Sequence, residues 1–394
     1  MTGVAGDLVD GATYLAGQPF PLWQRMREHT PVLWHEPGDF PGFWSVTGYD
    51  DVRTVLRDPG LFSSAAGILL RPTAQGADPG GGRTMALSDP PRHTVLRDAI
   101  AGHFSPRHLR SLQAELDDAA QRIVRQAVAA GTVDFVTGIA ATLPVEVVCA
   151  FLGLPEADRG QITGWTTDAF CAGTAWERSV AHMKILDYFT TLVRRRRDSG
   201  GTDLVSVLAS VELDGRPLPV EEVVLNCDNL LVGGTENTRL AMSGGVLALA
   251  RHPGQWELLR TRFDEVADTA IDEVLRWTSS ATHLARTATG DTVLGGTAIG
   301  AGDLVVCWLP SANRDPRQFP DPDVFDLRRT PNRHLALGAG PHYCVGTRLA
   351  RAEMRAILRE LTEQVSRIEL AGEPELLDSI VVNGLRALPL TLVP

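Results

Sequence analysis

The sequence predicts a mainly α-helical protein with a minor β region. Residues 106–129 carry leucine, isoleucine and valine at intervals of three and four, the period of an amphipathic helix. Residues 219–250 are apolar on all sides, which indicates a long helix through the centre of the protein, interrupted at Gly233-Gly234. Strand-like runs such as Val32–His35 and Leu304–Trp308 are short, so the sheets are expected to be small.

The remaining elements follow from the same patterns. Further helices are predicted over residues 22–28, 49–57, 90–103, 139–152, 178–197, 202–208, 263–277 and 345–365, and a further strand over 43–47. Glycine, proline, aspartate and asparagine crowd residues 313–346, which predicts coil, and residues 71–82 predict a long loop. Because no linker or repeat divides the sequence, we expect one domain over residues 1–394.

The composition excludes several classes of protein. A net charge of −11 argues against general nucleic-acid binding. Five cysteines with no Cys-x-x-Cys pair argue against a disulfide framework or a structural zinc site and favour a reducing compartment. The first eleven residues lack a signal-peptide pattern, and no segment approaches the ~18 uninterrupted apolar residues of a spanning helix. We therefore expect a soluble, cytoplasmic protein with no membrane segment.

The most informative segment surrounds Cys344. Glycines at 338, 340 and 346 flank this cysteine, and a predicted helix begins directly after it. A helix N-terminus favours the thiolate form of cysteine, and glycines let the backbone pass close to a flat cofactor. A thiolate that receives backbone N–H groups suits a redox iron. The alternative is that Cys344 is a small buried apolar residue, and the spacing alone favours that alternative.

This segment closely resembles the haem-ligand loop of the cytochrome P-450 family, Phe-x-x-Gly-x-His-x-Cys-x-Gly. Gly340, His342, Cys344 and Gly346 match it in register, whereas Leu337 stands where the family has phenylalanine. The resemblance implies the family's fold, with a long central helix over the haem and small antiparallel sheets. It also implies haem b (iron protoporphyrin IX) as cofactor, Cys344 as the iron ligand, and Gly338 as part of the cofactor-binding loop.

Two further motifs resemble those of the family. Glu273 and Arg276 match its Glu-x-x-Arg pair, which in the family engages a later arginine, here Arg329, and fixes the coil before the cysteine.

The residues His93, Arg97, Arg286 and His342 match the partners of the two haem propionates. His93 and Arg97 are four positions apart on one predicted helix face, as two donors to one cofactor edge would be.

The centre of the long helix resembles the oxygen-binding segment of the family. Gly233 and Gly234 match its small residues, and Glu236 matches its acid, but Asn237 stands where the family has threonine. Thr238 is ~100° further around the helix and cannot simply substitute. Glu236 and Asn237 are the candidate catalytic residues. Either Asn237 holds the proton-delivering water, or the substrate supplies the OH or NH group, or the reaction needs less proton delivery; we favour the first.

The resemblance implies a monooxygenase that inserts one oxygen atom from O2 into a small organic substrate. Specialised metabolites, including substrates tethered to a carrier protein, are the expected class. Because no flavin-binding segment is recognisable, electrons are expected from a separate ferredoxin and ferredoxin reductase, and the protein is expected to be a monomer. The candidate ferredoxin contacts are Arg351 and Arg348 on the last helix. The expected pocket walls are residues 68–70, 230–234 and 281–283 and the chain near Val382. His283 is a candidate contact for a polar substrate group, although an ordinary core or surface histidine is the preferred alternative.

Two alternatives remain open. The same haem-thiolate chemistry supports oxidative coupling, ring closure, desaturation or nitration, and Asn237 keeps this possibility in view. From another class, the chain would be a non-catalytic haem-binding protein. The glycine pair and the acid at position 236 argue against that second alternative.

Overall fold

The computed structural model describes residues 8–15, 17–171 and 174–394, and most of these residues are helical. The helices are α1 (Ala12–Leu15), α2 (Phe20–His29), α3 (Tyr49–Arg57), α4 (Arg92–Ala101), α5 (Pro106–Ala130), α6 (Thr142–Phe151), α7 (Glu156–Cys171), α8 (Ala175–Ser199), α9 (Leu204–Ala209), α10 (Val220–Arg251), α11 (Pro253–Thr261), α12 (Phe263–Thr278), α13 (Leu309–Ala312) and α14 (Thr347–Gln364). A π-helical segment, Val136–Ala140, precedes α6, and 3-10 turns lie at Thr73–Gln75 and Gly340–His342.

The β structure is minor, as the sequence predicts. The strands are β1 (Val32–His35), β2 (Phe43–Val46), β3 (Phe62–Ser63), β4 (Thr132–Asp134), β5 (Glu212–Leu213), β6 (Arg216–Pro217), β7 (His283–Ala288), β8 (Thr292–Leu294), β9 (Thr297–Ile299), β10 (Leu304–Trp308), β11 (Arg367–Leu370), β12 (Glu375–Leu376), β13 (Leu385–Ala387) and β14 (Pro389–Val393). The largest sheet has the order β1-β2-β10-β7-β3, and its pairings are antiparallel except for β2 with β10.

Helix α10 forms the centre of the molecule. It is 32 residues long and packs against α6, α8 and α12, which explains why apolar residues surround it on all sides. The expected interruption at Gly233-Gly234 is wrong, because the helix continues through both residues. Gly234 lies against α6, where a Cβ atom would come within 2.8 Å of a Val148 methyl carbon. Close helix packing therefore accounts for one glycine of the pair.

Most helices were predicted, two of them to within one residue, and two of those longer than four residues were missed. Helices α3 and α5 match their predicted bounds to within one residue. Helices α7 and α11 were not predicted. Polar and small residues interrupt α7, and α11 lies in a short segment directly after the long helix α10.

The expectation about the signal peptide depends in part on residues 1–7, and the expectation about disulfides depends in part on the Cys171 side chain. Both lie outside the part of the chain that the structure describes. Among the described helices, none combines the length and the apolar character needed to cross a membrane. Cys149, Cys227, Cys307 and Cys344 are all free thiols.

A buried ion cluster ties α12 to the coil that precedes the cysteine loop. Arg276 donates two hydrogen bonds of 2.8 Å to the Glu273 carboxylate, and both side chains are fully buried. Arg329 and Asn332 from the coil donate to the same carboxylate at 3.2 and 3.0 Å. Arg276 also donates to the backbone oxygens of Asn313 and Pro322. The expected network of Glu273, Arg276 and Arg329 is therefore present, and it binds coil backbone as well as side chains.

We expect Glu273→Gln to lower the free energy of unfolding by about 3–5 kcal/mol, because it leaves Arg276 buried without a counter-charge. The matched control is Glu257→Gln, which breaks an exposed Glu–Arg pair at the same i,i+3 spacing. That change should cost below about 1 kcal/mol. Urea unfolding of both variants measures the difference, and equal losses would contradict a buried role for the cluster.

Candidate active site

The loop before α14 holds Cys344 in a fixed position. The Cys344 N–H donates to the Leu337 carbonyl oxygen at 2.9 Å and closes the loop. Gly338 and Gly340 have φ values of +72° and +69°. A Cβ atom on Gly340 would also lie 2.7 Å from the Arg57 Cα and the Leu56 carbonyl oxygen of α3. Because neither contact can move without moving backbone, position 340 requires glycine.

The Cys344 sulfur lies at the start of α14, as the sequence predicts. Burial raises the pKa of the Cys344 thiol, while hydrogen bonds from the Gly346 N–H and the Thr347 hydroxyl oppose that rise. The donors at the helix start therefore lower the pKa as the sequence predicts, but desolvation is the larger effect in the chain alone. Metal coordination deprotonates a buried thiol, and these same hydrogen bonds then stabilise the thiolate.

One cavity is lined by both the cysteine loop and α10. Its empty volume is about 1560 Å³. Cys344 and Gly346 line it from the loop, and Gly233 and Asn237 line it from α10. The rest of the wall is largely apolar, which suits a flat hydrophobic cofactor with an apolar substrate space beside it.

Four nitrogen-bearing side chains converge at one edge of this cavity. The rings of His93 and His342 lie 4.2 Å apart between centroids. Burial, aided by Arg286 and His93, lowers the pKa of His342 to about 3, and burial also lowers the pKa values of His93 and Arg286. Both ring nitrogens of His93 are buried without a hydrogen-bond partner. Arg97 donates to the Tyr343 carbonyl oxygen at 2.7 Å.

This edge suits an anion. Buried donors and cations are costly unless they are paired, and His93, His342 and Arg286 take part in none of the ion pairs among the described residues. The two propionates of haem would supply both negative charge and acceptors at this position. The structure therefore brings together His93, Arg97, Arg286 and His342, and these residues fit the cofactor that the sequence implies.

The oxygen-binding segment of α10 has one open and one packed glycine. Nothing lies within 4 Å of a Cβ atom placed on Gly233, whereas Gly234 packs against α6. Asn237, one turn after Gly233, is exposed to the cavity. The Thr238 hydroxyl donates to the Gly234 carbonyl oxygen at 3.3 Å. Thr238 is thus engaged with its own helix, in agreement with the expectation that it does not replace the missing threonine.

Glu236 lies beside the cavity rather than on its wall. Its carboxylate is buried and accepts two hydrogen bonds from Arg239, which also donates to the Leu385 carbonyl oxygen. The proposed acid of the oxygen site is therefore held in a buried ion pair. A proton delivered through Glu236 would have to be taken up by a carboxylate that is already ion-paired with Arg239.

The walls of the substrate space agree in part with the sequence prediction. Ile68, Leu230 and Ala281 line the cavity, but His283 does not. The fully buried His283 accepts from the Leu70 N–H at 2.8 Å and lies 3.0 Å from the Ile380 carbonyl oxygen. It is a core residue that joins two wall segments.

Sequence reasoning missed three polar residues of the cavity: Asn229, Ser280 and Glu353. Asn229 lies two helical turns before Asn237 on the same face, so the helical period could have found it. Ser280 gave no signal, because its position depends on where α12 ends. Glu353, on α14, is fully buried without a hydrogen-bond partner in the described residues, and burial raises its pKa well above the usual value.

The arginine stripe of α14 is paired rather than free. Aspartates on α12 recur at intervals of four and face it, and the contacts are Arg351 with Asp272, Arg355 with Asp268, and Arg359 with Asp264. Arg348 is exposed and takes part in none of the ion pairs among the described residues. The stripe beyond Arg348 thus joins two helices.

A cavity that combines a cysteine at a helix start, an edge rich in buried donors and an open glycine on a central helix fits a haem-thiolate protein. The family model for Cytochrome P450 matches residues 167–365. Cytochrome P450 NovI of Streptomyces niveus is 37% identical over 376 residues, which cover 94% of this chain and 92% of that protein. Linalool 8-monooxygenase of Pseudomonas putida is 34% identical over 403 residues, which cover 98% of this chain and 99% of that protein.

The solved structures agree with the sequence comparisons. The crystal structure of P450 OxyD, described as involved in the biosynthesis of vancomycin-type antibiotics, matches with a TM-score of 0.90 at 37% identity over 98% of both chains. The chain belongs to the cytochrome P450 family. It is a cytochrome P450 monooxygenase, an oxidoreductase with haem as its cofactor.

We expect His283 to make the unfolding free energy depend on pH. Burial lowers its pKa to about 4, whereas the unfolded value is about 6.5. Its stabilising contribution is complete above pH 6.5 and is lost as the pH falls towards 4, because only the unfolded chain binds the proton. His283→Gln retains one donor and one acceptor without a titrating group.

Urea unfolding at several pH values from 7 to 4 measures this effect. The slope should be shallower in His283→Gln than in the parent. The control His29→Gln, on the exposed end of α2, should change the slope less, because that ring is already hydrated in the folded protein. An unchanged slope in His283→Gln would show that the ring carries a proton in the fold.

Proposed function

We propose that this protein hydroxylates a small specialised metabolite with electrons from a separate ferredoxin and ferredoxin reductase. The observation that carries the proposal is the single cavity shared by Cys344 and the open face of α10 at Gly233 and Asn237. Similarity to P450 OxyD supports the substrate class, since OxyD is involved in the biosynthesis of vancomycin-type antibiotics. A carrier-tethered metabolite and a monomeric enzyme belong to the same proposal.

Different residues of this chain would hold the haem and bind ligands on its open side. Cys344 would hold the iron, and His93, Arg97, Arg286 and His342 would hold the propionates. Bound haem supplies the activation of O2, which thiolate ligation promotes. The open space at Gly233 leaves room for a small ligand, and the Asn237 amide is placed to hold a water beside it.

The substrate space is largely apolar, and Asn229 is one of its few polar residues. Ile68, Met85, Leu230 and Ala281 provide the apolar wall. The Asn229 amide faces the same cavity and makes no side-chain hydrogen bond within the described residues. An unpartnered amide in an apolar wall favours a substrate with one hydrogen-bonding group, because such a group satisfies both donor and acceptor.

The surface behind the cysteine loop supports docking of an acidic electron carrier. Arg53, Arg57 and Arg333 line an open depression of about 730 Å³ empty volume next to Gly338–Gly340 and Tyr343. All three arginines are exposed. Arg351, which the sequence suggested as a ferredoxin contact, is instead paired with Asp272. On a chain with a net charge of −11, such a local basic cluster would steer an acidic ferredoxin towards the haem edge.

Turnover in labelled dioxygen tests the reaction. With ferredoxin, reductase and a panel of antibiotic-type aromatic and terpenoid substrates, the product should gain one oxygen atom from ¹⁸O2. Cys344→Ser should lose this activity and the far-red Soret band of the reduced carbon monoxide complex. The control Cys149→Ala, at a buried thiol of α6, should retain both. A coupled, desaturated or nitrated product without an inserted hydroxyl would overturn hydroxylation.

Charge removal tests the docking surface. We expect Arg57→Gln with Arg333→Gln to slow reduction by ferredoxin several-fold at low salt, with the difference shrinking at high salt. The control Arg367→Gln removes an exposed arginine on β11. Stopped-flow reduction measures the rates. If the double variant and the control are reduced equally fast at low salt, ferredoxin docks elsewhere.

A further inference from the structure

A turn in the loop before α4 forms part of the cavity wall. Met85 and Ala86, in this turn, line the same cavity as the cysteine loop and α10. The turn is closed by bonds of its own, such as the one from the Gly82 N–H to the Leu87 carbonyl oxygen at 2.6 Å. Among the described residues, the other backbone-to-backbone hydrogen bonds of residues 82–87 also stay within this loop. These local bonds give the turn its shape, but they do not fix its position relative to α10.

Asn226 of α10 fixes that position. Its Oδ1 atom accepts from the Met85 N–H at 2.8 Å, and its Nδ2 group donates to the Arg83 carbonyl oxygen at 3.3 Å. The same Nδ2 group donates to the Glu222 carbonyl oxygen of its own helix at 2.7 Å. Because Asn226 is only 3% exposed, removing its amide would leave a buried backbone N–H without a partner.

These contacts allow one orientation of the amide. A backbone N–H can only donate and a carbonyl oxygen can only accept, so exchanging the two ends of the Asn226 amide would break all three bonds. The bond to the Glu222 carbonyl oxygen, one turn earlier on α10, holds the amide itself in place. The amide therefore keeps the turn, at Arg83 and at Met85, at a fixed distance from α10.

Ion pairs support the same attachment from the side of α4. The Glu222 carboxylate pairs with Arg83 at 3.8 Å and with Arg92, the first residue of α4. Helix α4 also carries His93 and Arg97, at the edge of the cavity where the propionates would bind. One turn of α10 thus holds both the wall turn and the start of α4. The two arginines are partly exposed, so these ion pairs contribute less than the buried amide does.

The attachment lies on the cavity side of α10. Asn229 and Leu230, three and four positions after Asn226, line the cavity, and Gly233 follows at seven positions. Residues at these spacings share one helix face. At a rise of about 1.5 Å per residue, Asn226 is ~10 Å along the helix axis from Gly233. The turn that Asn226 holds is therefore set relative to the open space at Gly233.

We propose that Asn226 is a positioning residue that holds the Met85–Ala86 wall in place and so sets how tightly the cavity binds ligands large enough to reach that wall. The inference deepens the proposed function and rests on it in one respect, that the substrate binds in this cavity. Asn226 is not among the described residues that line the cavity. It therefore acts through the backbone of the turn rather than by contact with substrate, and no bond is made or broken at its amide.

Two azole ligands of different size test the wall of the haem-loaded protein without a known substrate. Imidazole and clotrimazole both bind haem iron through a ring nitrogen, and the Soret band reports that binding. Clotrimazole carries three aromatic rings that extend into the apolar part of the cavity, whereas imidazole occupies little more than the space beside the iron. Asn226→Leu keeps the side-chain size and removes the amide, so a loosened wall must be ordered when the large ligand binds. The ratio of the clotrimazole to the imidazole dissociation constant should rise roughly fivefold, the change expected when a neutral hydrogen bond is lost.

Further variants separate positioning from general loss of structure. Ser243→Ala removes a buried hydroxyl of α10 that bonds the Arg239 carbonyl oxygen of the same helix, and it should leave the ratio unchanged. In a Met85→Ala background, where the wall contact is removed, Asn226→Leu should change the ratio less than about twofold. Hydrogen exchange of the Met85 amide should be faster in Asn226→Leu than in the parent, and unchanged in Ser243→Ala. Asn226→Ser, which is too short to span both contacts of the turn, replaces Asn226→Leu if that variant does not bind haem, and the same direction is expected.

The azole ratio also distinguishes this inference from the proposed function, because it needs neither substrate nor ferredoxin. The far-red Soret band of the reduced carbon monoxide complex reports an intact haem-thiolate centre in each variant. With that band present, an unchanged or lowered ratio in Asn226→Leu would overturn the role of Asn226, and an equal loss of affinity for both azoles gives an unchanged ratio. Failure to hydroxylate any substrate, while the ratio rises as expected, would overturn the proposed function alone.

Discussion

The carboxylate of Glu273 is the interaction on which the cysteine side of the site depends. It sits fully buried on α12 and accepts from Arg276, Arg329 and Asn332. A buried carboxylate with this many donors can occupy one position only, since each lost donor would leave a charge or an amide unsatisfied. The coil after α13 has little regular structure of its own, so these bonds give it the rigidity that a helix or a strand would otherwise provide. The loop at Cys344 starts from that fixed coil.

Charged residues are arranged differently on the outer and inner sides of the Glu273 cluster. On the outside, the aspartates of α12 neutralise the arginines of α14, so the two helices next to the cysteine are held together by pairs that need no cofactor. On the inside, His93, His342 and Arg286 have lowered pKa values because they are buried together. Their donors have no ion-pair partner among the described residues. The inner edge would therefore gain a counter-charge from the haem propionates, whereas the outer ion pairs form within the chain.

The sequence predicted most of what depends on local pattern. Most helix bounds follow from periodicity, and the cysteine loop and the Glu273–Arg276 pair follow from motifs whose members lie close in sequence. Arg329, 56 residues after Glu273, was expected only from the resemblance to the family. What could not be predicted depends on packing between distant segments. Gly233 and Gly234 look alike in sequence, yet only contact with Val148 separates their roles. Likewise the arginines of α14 form a regular stripe, and nothing in that stripe shows that α12 faces it with aspartates at the same interval.

The substitution at position 237 shows why a site can change its residue and keep its geometry. A threonine hydroxyl is held by its own helix, because a β-branched side chain has few rotamers and bonds the preceding turn. Asparagine lacks that restraint, and its amide has two chemically opposite ends that fill nearly the same space. In this chain the side chain at position 237 contacts another segment: the Ser280 hydroxyl bonds the Asn237 Oδ1 atom at 3.1 Å, and the bridge between Ala281 and Val382 holds the backbone next to Ser280. The side chain at position 237 is therefore restrained from the neighbouring loop rather than from its own helix.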